Sequence, residues 1–320
     1  MKTIDDAVLY DLGISRRVQR GEKLLVRHCY HFCSDGTRVD ELFRCREDYI
    51  VAMNLIAVTS CDYPVLILAF CLMDNHFHFV LYGEADDCSS FVREYVRRLG
   101  ISMTKRTCGR ETLDMSMVSY KEITDADYLK TVICYVHRNP PAGRLPYPPW
   151  LYPYSSGNLL FAGALEETDW CIPRWMRKSA LGKLSDLSYR EMSAISRSEN
   201  LPKNWRVCGQ LIFPGEYVAT GLVERIFGTP RAYLYFLGAC RDKELDTQCE
   251  SFISMSIPDK EMRVIRDEVL GEMFPGQILR HLSVTQRAAL ANRLKSRYGC
   301  PAKQLARMVN LSYPALQRWL

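Results

Sequence analysis

No stretch of this 320-residue chain approaches the roughly 18 to 20 consecutive apolar residues that a membrane-spanning helix requires. Its opening, Met1-Lys2-Thr3-Ile4-Asp5-Asp6, lacks the basic-then-apolar order of a secretory signal, so a cytoplasmic protein with no membrane partner is expected. Paired CxxC knuckles are also missing. The thirteen cysteines are scattered and odd in number, and they read as reduced, buried small hydrophobes with no zinc site assigned to them. Acidic residues are absent from 281 to 320, where Arg287, Arg293, Lys295, Arg297, Lys303, Arg307 and Arg318 stand. The overall charge of +5 therefore hides a slightly acidic first 280 residues and a basic end. Such an end suits a polyanionic partner or a solvated helix face.

What is present is ordinary for a globular chain: 48% hydrophobic and 25% charged residues, enough to bury a good core, with a length that favours two domains. The densest apolar stretch runs from Val65 to Met73 and resumes at Phe77-His78-Phe79-Val80-Leu81, interrupted by Asp74-Asn75. It predicts a strand pair or a bulged strand carrying His76 and His78. Alternation along a strand turns both histidines to one face and Phe77 and Phe79 to the other. Imidazoles so fixed suit a divalent metal, although two histidines at this spacing also occur in strands that bind nothing.

Upstream, the segment to about Arg20 reads as a helix or an arm. Leu24–Cys33 predicts a strand ending at Ser34-Asp35-Gly36-Thr37, and Arg46 to about Ser60 a helix crossing back over the sheet. A further helix is expected from Ser89 or Ser90 to about Arg106. Its Arg93, Arg97 and Arg98 offer either phosphate contacts or a solvated basic face. After a polar, poorly periodic stretch from Thr107 to Tyr120, Asp125 to Arg138 predicts another helix, stopped by Asn139-Pro140-Pro141-Ala142-Gly143. Tyr135 and Asn139 share a face if its last turn holds. Over a two-histidine site they would supply a nucleophile and a third ligand; elsewhere such a pair packs and caps.

Asn75-His76-Phe77-His78, followed 57 residues after His78 by Tyr135-Val136-His137-Arg138-Asn139-Pro140, resembles the single-tyrosine HUH transposases of the IS200 type, and among them the REP-associated tyrosine transposases. Tyr30-His31, Glu41-Leu42-Phe43, Asp48-Tyr49, Trp150 and Tyr154-Ser155-Ser156 fit the same branch, over roughly residues 20 to 162. Asp74 and Pro141 depart from the family's usual proline and valine, and 107 to 120 matches poorly. The resemblance implies an α+β, ferredoxin-like antiparallel sheet with helices. It also implies His76, His78 and Asn139 as ligands of Mg²⁺ or Mn²⁺, and Tyr135 as a nucleophile on single-stranded or hairpin DNA. Attack would leave a 5′-phosphotyrosine and a free 3′-hydroxyl, and reversal by another 3′-hydroxyl would complete strand transfer. His137, two residues from Tyr135 and facing away from it, reads as a phosphate or core contact. Tyr95 and Tyr128 are rival tyrosines outside the motif. In related transposases two chains can share a site, so a monomer or a homodimer is expected.

Beyond Phe161 the resemblance fades, and three regions are expected: 1–165 catalytic, 166–280 mainly helical and accessory, 281–320 a helix-turn-helix. In the last, Ser283–Tyr298, Ala302–Val309 and Tyr313–Leu320 predict three helices, with Leu305, Ala306, Val309, Leu311, Leu316 and Leu320 in the apolar positions. Ser312, Tyr313, Gln317 and Arg318 would then lie near phosphates or base edges of duplex DNA. The leading expectation is a DNA-nicking and rejoining enzyme. The alternatives are a domesticated DNA-binding regulator that no longer cuts, and a metal hydrolase without DNA, which leaves the basic end unexplained.

Overall fold

The computed structural model describes residues 6–15, 23–36, 41–107, 113, 115–143, 145–162, 181–195, 200–239, 259–298 and 302–319. Contacts divide the chain into two compact units, Met1–Asp114 with Tyr120–Cys249, and Met115–Ser119 with Glu250–Leu320. The chain mixes helices with antiparallel sheets. Among the described residues no helix is long and apolar enough to cross a membrane.

In the first unit, after a short helix α1 (Asp6–Asp11), the order is β1 (Leu25–Ser34), α2 (Arg46–Ser60), β2 (Leu66–Leu72), β3 (Phe77–Tyr82), α3 (Ala85–Thr107), β4 (Val118–Asp125) and α4 (Ala126–Ala142). The four strands lie in the order β2-β3-β1-β4. Strands β1, β2 and β3 are apolar on both faces because helices cover both. Phe77 and Phe79 meet Phe91 and Tyr95 of α3 on one side. On the other, Cys29, Leu68, Ala69, Cys71 and Val80 join Leu129, Val132, Ile133 and Val136 of α4 in one core. Each Phe so enclosed contributes about 1.5–3 kcal/mol. Strand β2 stands at the edge of the sheet, where unpaired backbone would invite another strand. Its edge is covered instead: Leu72 N donates to Tyr154 O, Phe70 N to Ser156 Oγ, and Ala219 N to Ile67 O.

Several expectations shift. The strand pair forms, but Met73 N donates to His76 O across the turn at Asp74-Asn75, so His76 belongs to the turn and only His78 to the strand. Helix α3 begins at Ala85, with Asp86 and Asp87 in its first turn, and not at a serine cap. Strand β4 falls partly in the stretch read as structureless, because a polar edge strand exposed on one side carries little apolar signal. Helix α4 starts where expected, with Asp125 accepting from Tyr128 N, but runs through both prolines to Ala142. Pro140 and Pro141 bring no N–H to Val136 O and His137 O one turn back. Asn139 Nδ2 donates to the first of these as well as to Tyr135 O, and Gly143 N closes the end on Asn139 O.

Residues past 200 return to this unit. A small sheet, β5 (Gly182–Lys183), β6 (Arg206–Cys208) and β7 (Leu211–Ile212), is tied to α2 by Asn54, which donates to Gln210 O and accepts from Ile212 N. Helices α6 (Thr220–Phe227) and α7 (Pro230–Ala239), which follow the short α5 (Tyr189–Ile195), place Leu222, Val223, Ile226, Phe227, Tyr233 and Leu237 in the α4 core. His137 ends fully buried against them, its Nδ1 bonded to Tyr233 Oη and its Nε2 to Ser156 Oγ. Gly157 stands beside it, where a Cβ would meet Pro149 O at 2.8 Å.

Burial pushes His137 down to about 3, so the folded protein holds it neutral while the unfolded chain takes a proton below about 6.5. Stability from this group is whole above pH 6.5 and declines as pH falls toward 3. The unfolding free energy from urea titration should drop between pH 7 and pH 5 by about 2 kcal/mol for such a group; a level value would refute neutral burial.

The second unit holds helices at Asp259–Met273, Val284–Tyr298 and Ala302–Met308 and one helical turn at Tyr313–Leu316. Met262, Val269, Leu270, Leu290, Leu294, Leu305, Val309 and Leu316 form its core. The last helix is shorter than expected, and residues 166–180, 240–258 and 299–301 of the expected accessory and helix-turn-helix regions lie outside the described residues. Arg287, read as part of the basic patch, donates to Leu282 O, Asn310 O and Arg280 O. Tyr313, Gln317 and Arg318 are exposed, and Gln317 Nε2 donates to Tyr313 Oη.

Candidate metal and nucleophile site

His78 sits in β3 opposite Cys33 of β1 and Cys71 of β2, so all three face α4. His31, two residues before Cys33, faces the same way and bonds His78, with His31 Nε2 to His78 Nδ1 at 3.1 Å. The two rings are nearly parallel, 5.3 Å apart. Tyr135 of α4 presents its ring edge-on to both, with centroids 5.5 Å from His78 and 5.9 Å from His31. It is 7% exposed. Burial holds His78 well below the ordinary imidazole value; neighbouring His76 and His31 push the same way, and a hydrogen bond accepted by Asn139 opposes them. At neutral pH His78 is therefore an uncharged imidazole.

His76 is held from two directions. Asn75 Nδ2 donates to Gly36 O at 2.9 Å, which aims Asn75 Oδ1 at His76 Nδ1, 2.6 Å away. A carbonyl oxygen only accepts, so His76 carries its proton on Nδ1 and, in the neutral ring, a lone pair on Nε2. That nitrogen lies 3.4 Å from Asn139 Oδ1. Asn139 in turn spends its amide hydrogens on Tyr135 O and on Val136 O, the carbonyl freed by Pro140. In that neutral form two lone pairs face each other, an arrangement that a cation between them would reverse from repulsive to attractive. Gly36 closes over the pair, since a Cβ there would lie 3.0 Å from His76 Nδ1 and 3.1 Å from Asn75 Oδ1. The donor set of two imidazole nitrogens and an amide oxygen fits a divalent ion.

The structure also brings to His78 two residues that the sequence did not single out as ligands. His31, Cys33 and His78 have ligand atoms all within 4.8 Å of one another and could hold a metal ion. The signal was weak, because a histidine and a cysteine at i, i+2 in a strand are common and their partner lies on another strand.

Of the other site expectations, Arg97 and Arg98 lie on α3, across the sheet from the histidines. Arg97 bonds Glu94 through two nitrogens, and Arg98 bonds Glu94 and Asp62, each at 2.6 Å. These cations hold Glu94 down to about 2. Arg93 is on the same helix. Tyr128 lies in the first turn of α4 with Lys121 Nζ 4.9 Å over its ring. Tyr95 is fully buried among Phe77 and Phe79, its hydroxyl without a partner among the described residues. Tyr95→Phe removes that unbonded group and should leave the unfolding free energy unchanged or raise it by about 1 kcal/mol, read by urea titration; destabilisation by more than this would reveal a hidden partner.

No family model and no curated protein matches this chain. Among solved structures, one described as "Structure of the REP associates tyrosine transposase bound to a REP hairpin" aligns with 48% of this chain and 91% of its own length, at 19% identity and a TM-score of 0.36.

Proposed function

We propose that the chain is a metal-dependent single-stranded DNA nuclease and strand transferase of the single-tyrosine HUH type, with Tyr135 as nucleophile and His76, His78 and Asn139 as metal ligands. One observation carries it: the His76 Nε2 and Asn139 Oδ1 lone pairs, 3.4 Å apart, converge beside His78 and the Tyr135 helix face, within one chain. The sheet order β2-β3-β1-β4 with its two crossing helices supports the ferredoxin-like reading, and the motif resemblance supports the reaction.

A phenol with an ordinary pKa near 10 is a poor nucleophile at pH 7. A bound Mg²⁺ or Mn²⁺ would neutralise charge on a scissile phosphate and favour the phenolate. The chain's own residues set the rest. Asn75 orients His76, His31 orients His78, and α4 carries Tyr135 and Asn139 four residues apart, so that ligand and nucleophile move as one rigid body. Attack forms a Tyr135 Oη–phosphorus bond and breaks the bond to the 3′-oxygen, which leaves as a protonated hydroxyl. A second 3′-hydroxyl reverses the step and joins strands without ATP.

The exposed Tyr313, Gln317 and Arg318 serve as a duplex contact in this reading, in a C-terminal helix-turn-helix joined to the catalytic domain. Arg318→Ala should then weaken duplex binding and lower its salt slope by about 1; an unaltered slope would remove Arg318 from the interface.

The decisive experiment incubates the protein with a library of hairpin-containing single-stranded oligonucleotides and Mn²⁺. Denaturing gels reveal covalent adducts, and mass spectrometry identifies the linked residue. An adduct on Tyr135 is expected. Binding without any adduct would favour a regulator that no longer cuts.

A further inference from the structure

We propose that His31, Cys33 and His78 form a second cation site, selective for a thiophilic ion such as Zn²⁺, and that filling it empties the His76/His78/Asn139 site because both need His78. The first half stands on the sheet alone; the second rests on the function proposed above.

The three donors are fixed by backbone pairing. Cys33 stands directly across from His78 in the antiparallel β1/β3 ladder, and His31 shares Cys33's face two residues earlier. Little conformational freedom is left to lose when an ion arrives. With Zn–N distances of about 2.0–2.1 Å, two nitrogens on a tetrahedral zinc lie about 3.3 Å apart. The His31 and His78 nitrogens stand at 3.1 Å, and the Cys33 sulfur lies within 4.8 Å of both, a gap that small side-chain rotations close. Two imidazoles and a thiolate make a soft set suited to zinc, whereas the outer set replaces sulfur with an amide oxygen and suits a harder ion.

His78 is the point of conflict. Its Nδ1 faces His31, so its remaining nitrogen, Nε2, is left for the outer ion. With the inner site empty, Nδ1 and His31 Nε2 share a hydrogen bond whose donor is set by the tautomer, and an outer ion on Nε2 selects the one in which Nδ1–H donates to His31 Nε2. An ion on Nδ1 takes the place of that proton. Holding ions on both nitrogens would require an imidazolate, whose second deprotonation a weak Lewis acid such as Mg²⁺ or Mn²⁺ does not offset. A soft ion in the inner site therefore displaces the outer one and acts as a brake.

The test uses the full chain and two probes. Co²⁺, a spectroscopic stand-in for zinc, should give one equivalent of a cysteine-thiolate charge-transfer band that Zn²⁺ abolishes. Cys33→Ser, or Cys33→Ala if the first variant is unfolded by circular dichroism, should lack the band. Release of bound Mn²⁺, followed by electron paramagnetic resonance, should require at least about tenfold less Zn²⁺ in the wild type than in the Cys33 variant. Mn²⁺-dependent adduct formation should persist in the variant. A folded wild type without the thiolate band overturns the site, and equal zinc concentrations for Mn²⁺ release overturn the exclusion. Neither readout needs cleavage, so a protein that forms no adduct but shows both keeps this proposal and loses the one above.

Discussion

Tyr135→Phe should abolish the covalent protein–DNA adduct and lower strand transfer by at least about 10³-fold, as expected when a nucleophile acting as part of a unit is removed. DNA binding should survive with little change, because only one oxygen is lost. The ring should keep its place: the substituted phenyl group would still pack edge-on against His31 and His78, whose contacts with Tyr135 are between rings. Quantifying adduct on denaturing gels beside equilibrium binding of the same oligonucleotide separates chemistry from affinity. An adduct that persists at wild-type level would move the nucleophile elsewhere. Tyr95 is a poor substitute, since burial lifts its hydroxyl far above the ordinary value and it lies on α3, across the sheet from the histidines.

The second large effect is on metal dependence. His76→Ala removes one of two converging lone pairs and leaves Asn139 Oδ1 facing an empty space. Losing a supporting contact around a metal typically costs ten- to a hundredfold, so loss of a ligand should cost at least about a hundredfold in Mn²⁺ affinity. Cleavage should fall in parallel and recover in part at raised Mn²⁺. The turn that carries His76 should survive, because Met73 N bonds to the His76 carbonyl and not to its ring. Undiminished cleavage across a Mn²⁺ titration would strip His76 of its metal role, while a collapse of the thermal transition would mean that the imidazole mainly pins the Gly36 loop.

Much of this was legible from residue order. Helix α2 spans Arg46–Ser60 as its apolar spacing predicts, and the strands flanking Asp74-Asn75 declare themselves by unbroken apolar runs. Local side-chain chemistry suffices for such elements: a buried strand needs apolar residues on both faces, and a helix N-terminus needs an Asp such as Asp125. The prolines at 140 and 141 misled, because proline ends a helix only when nothing else bonds the carbonyls it orphans. Here Asn139 Nδ2 bonds one of the two, Val136 O, and Gly143 N closes the last turn on Asn139 O. Strand β4 was hidden because an edge strand needs little apolar surface.

Residue order and the family resemblance point to His76, His78 and Asn139 as candidate ligands, to Tyr135 as candidate nucleophile, and to the elements that carry them. Which of the six histidines meet is settled by the packing of strands and helices. His31 and His78 are 47 residues apart and touch because β1 pairs with β3 in one antiparallel register; a one-residue slip would turn His31 or His78 to the opposite face. The same holds for His137, whose partners Tyr233 and Ser156 come from distant segments. Spacing along a chain fixes neighbours within one element, whereas strand register and helix packing fix neighbours between elements, and a cluster of ligands is a property of the second kind.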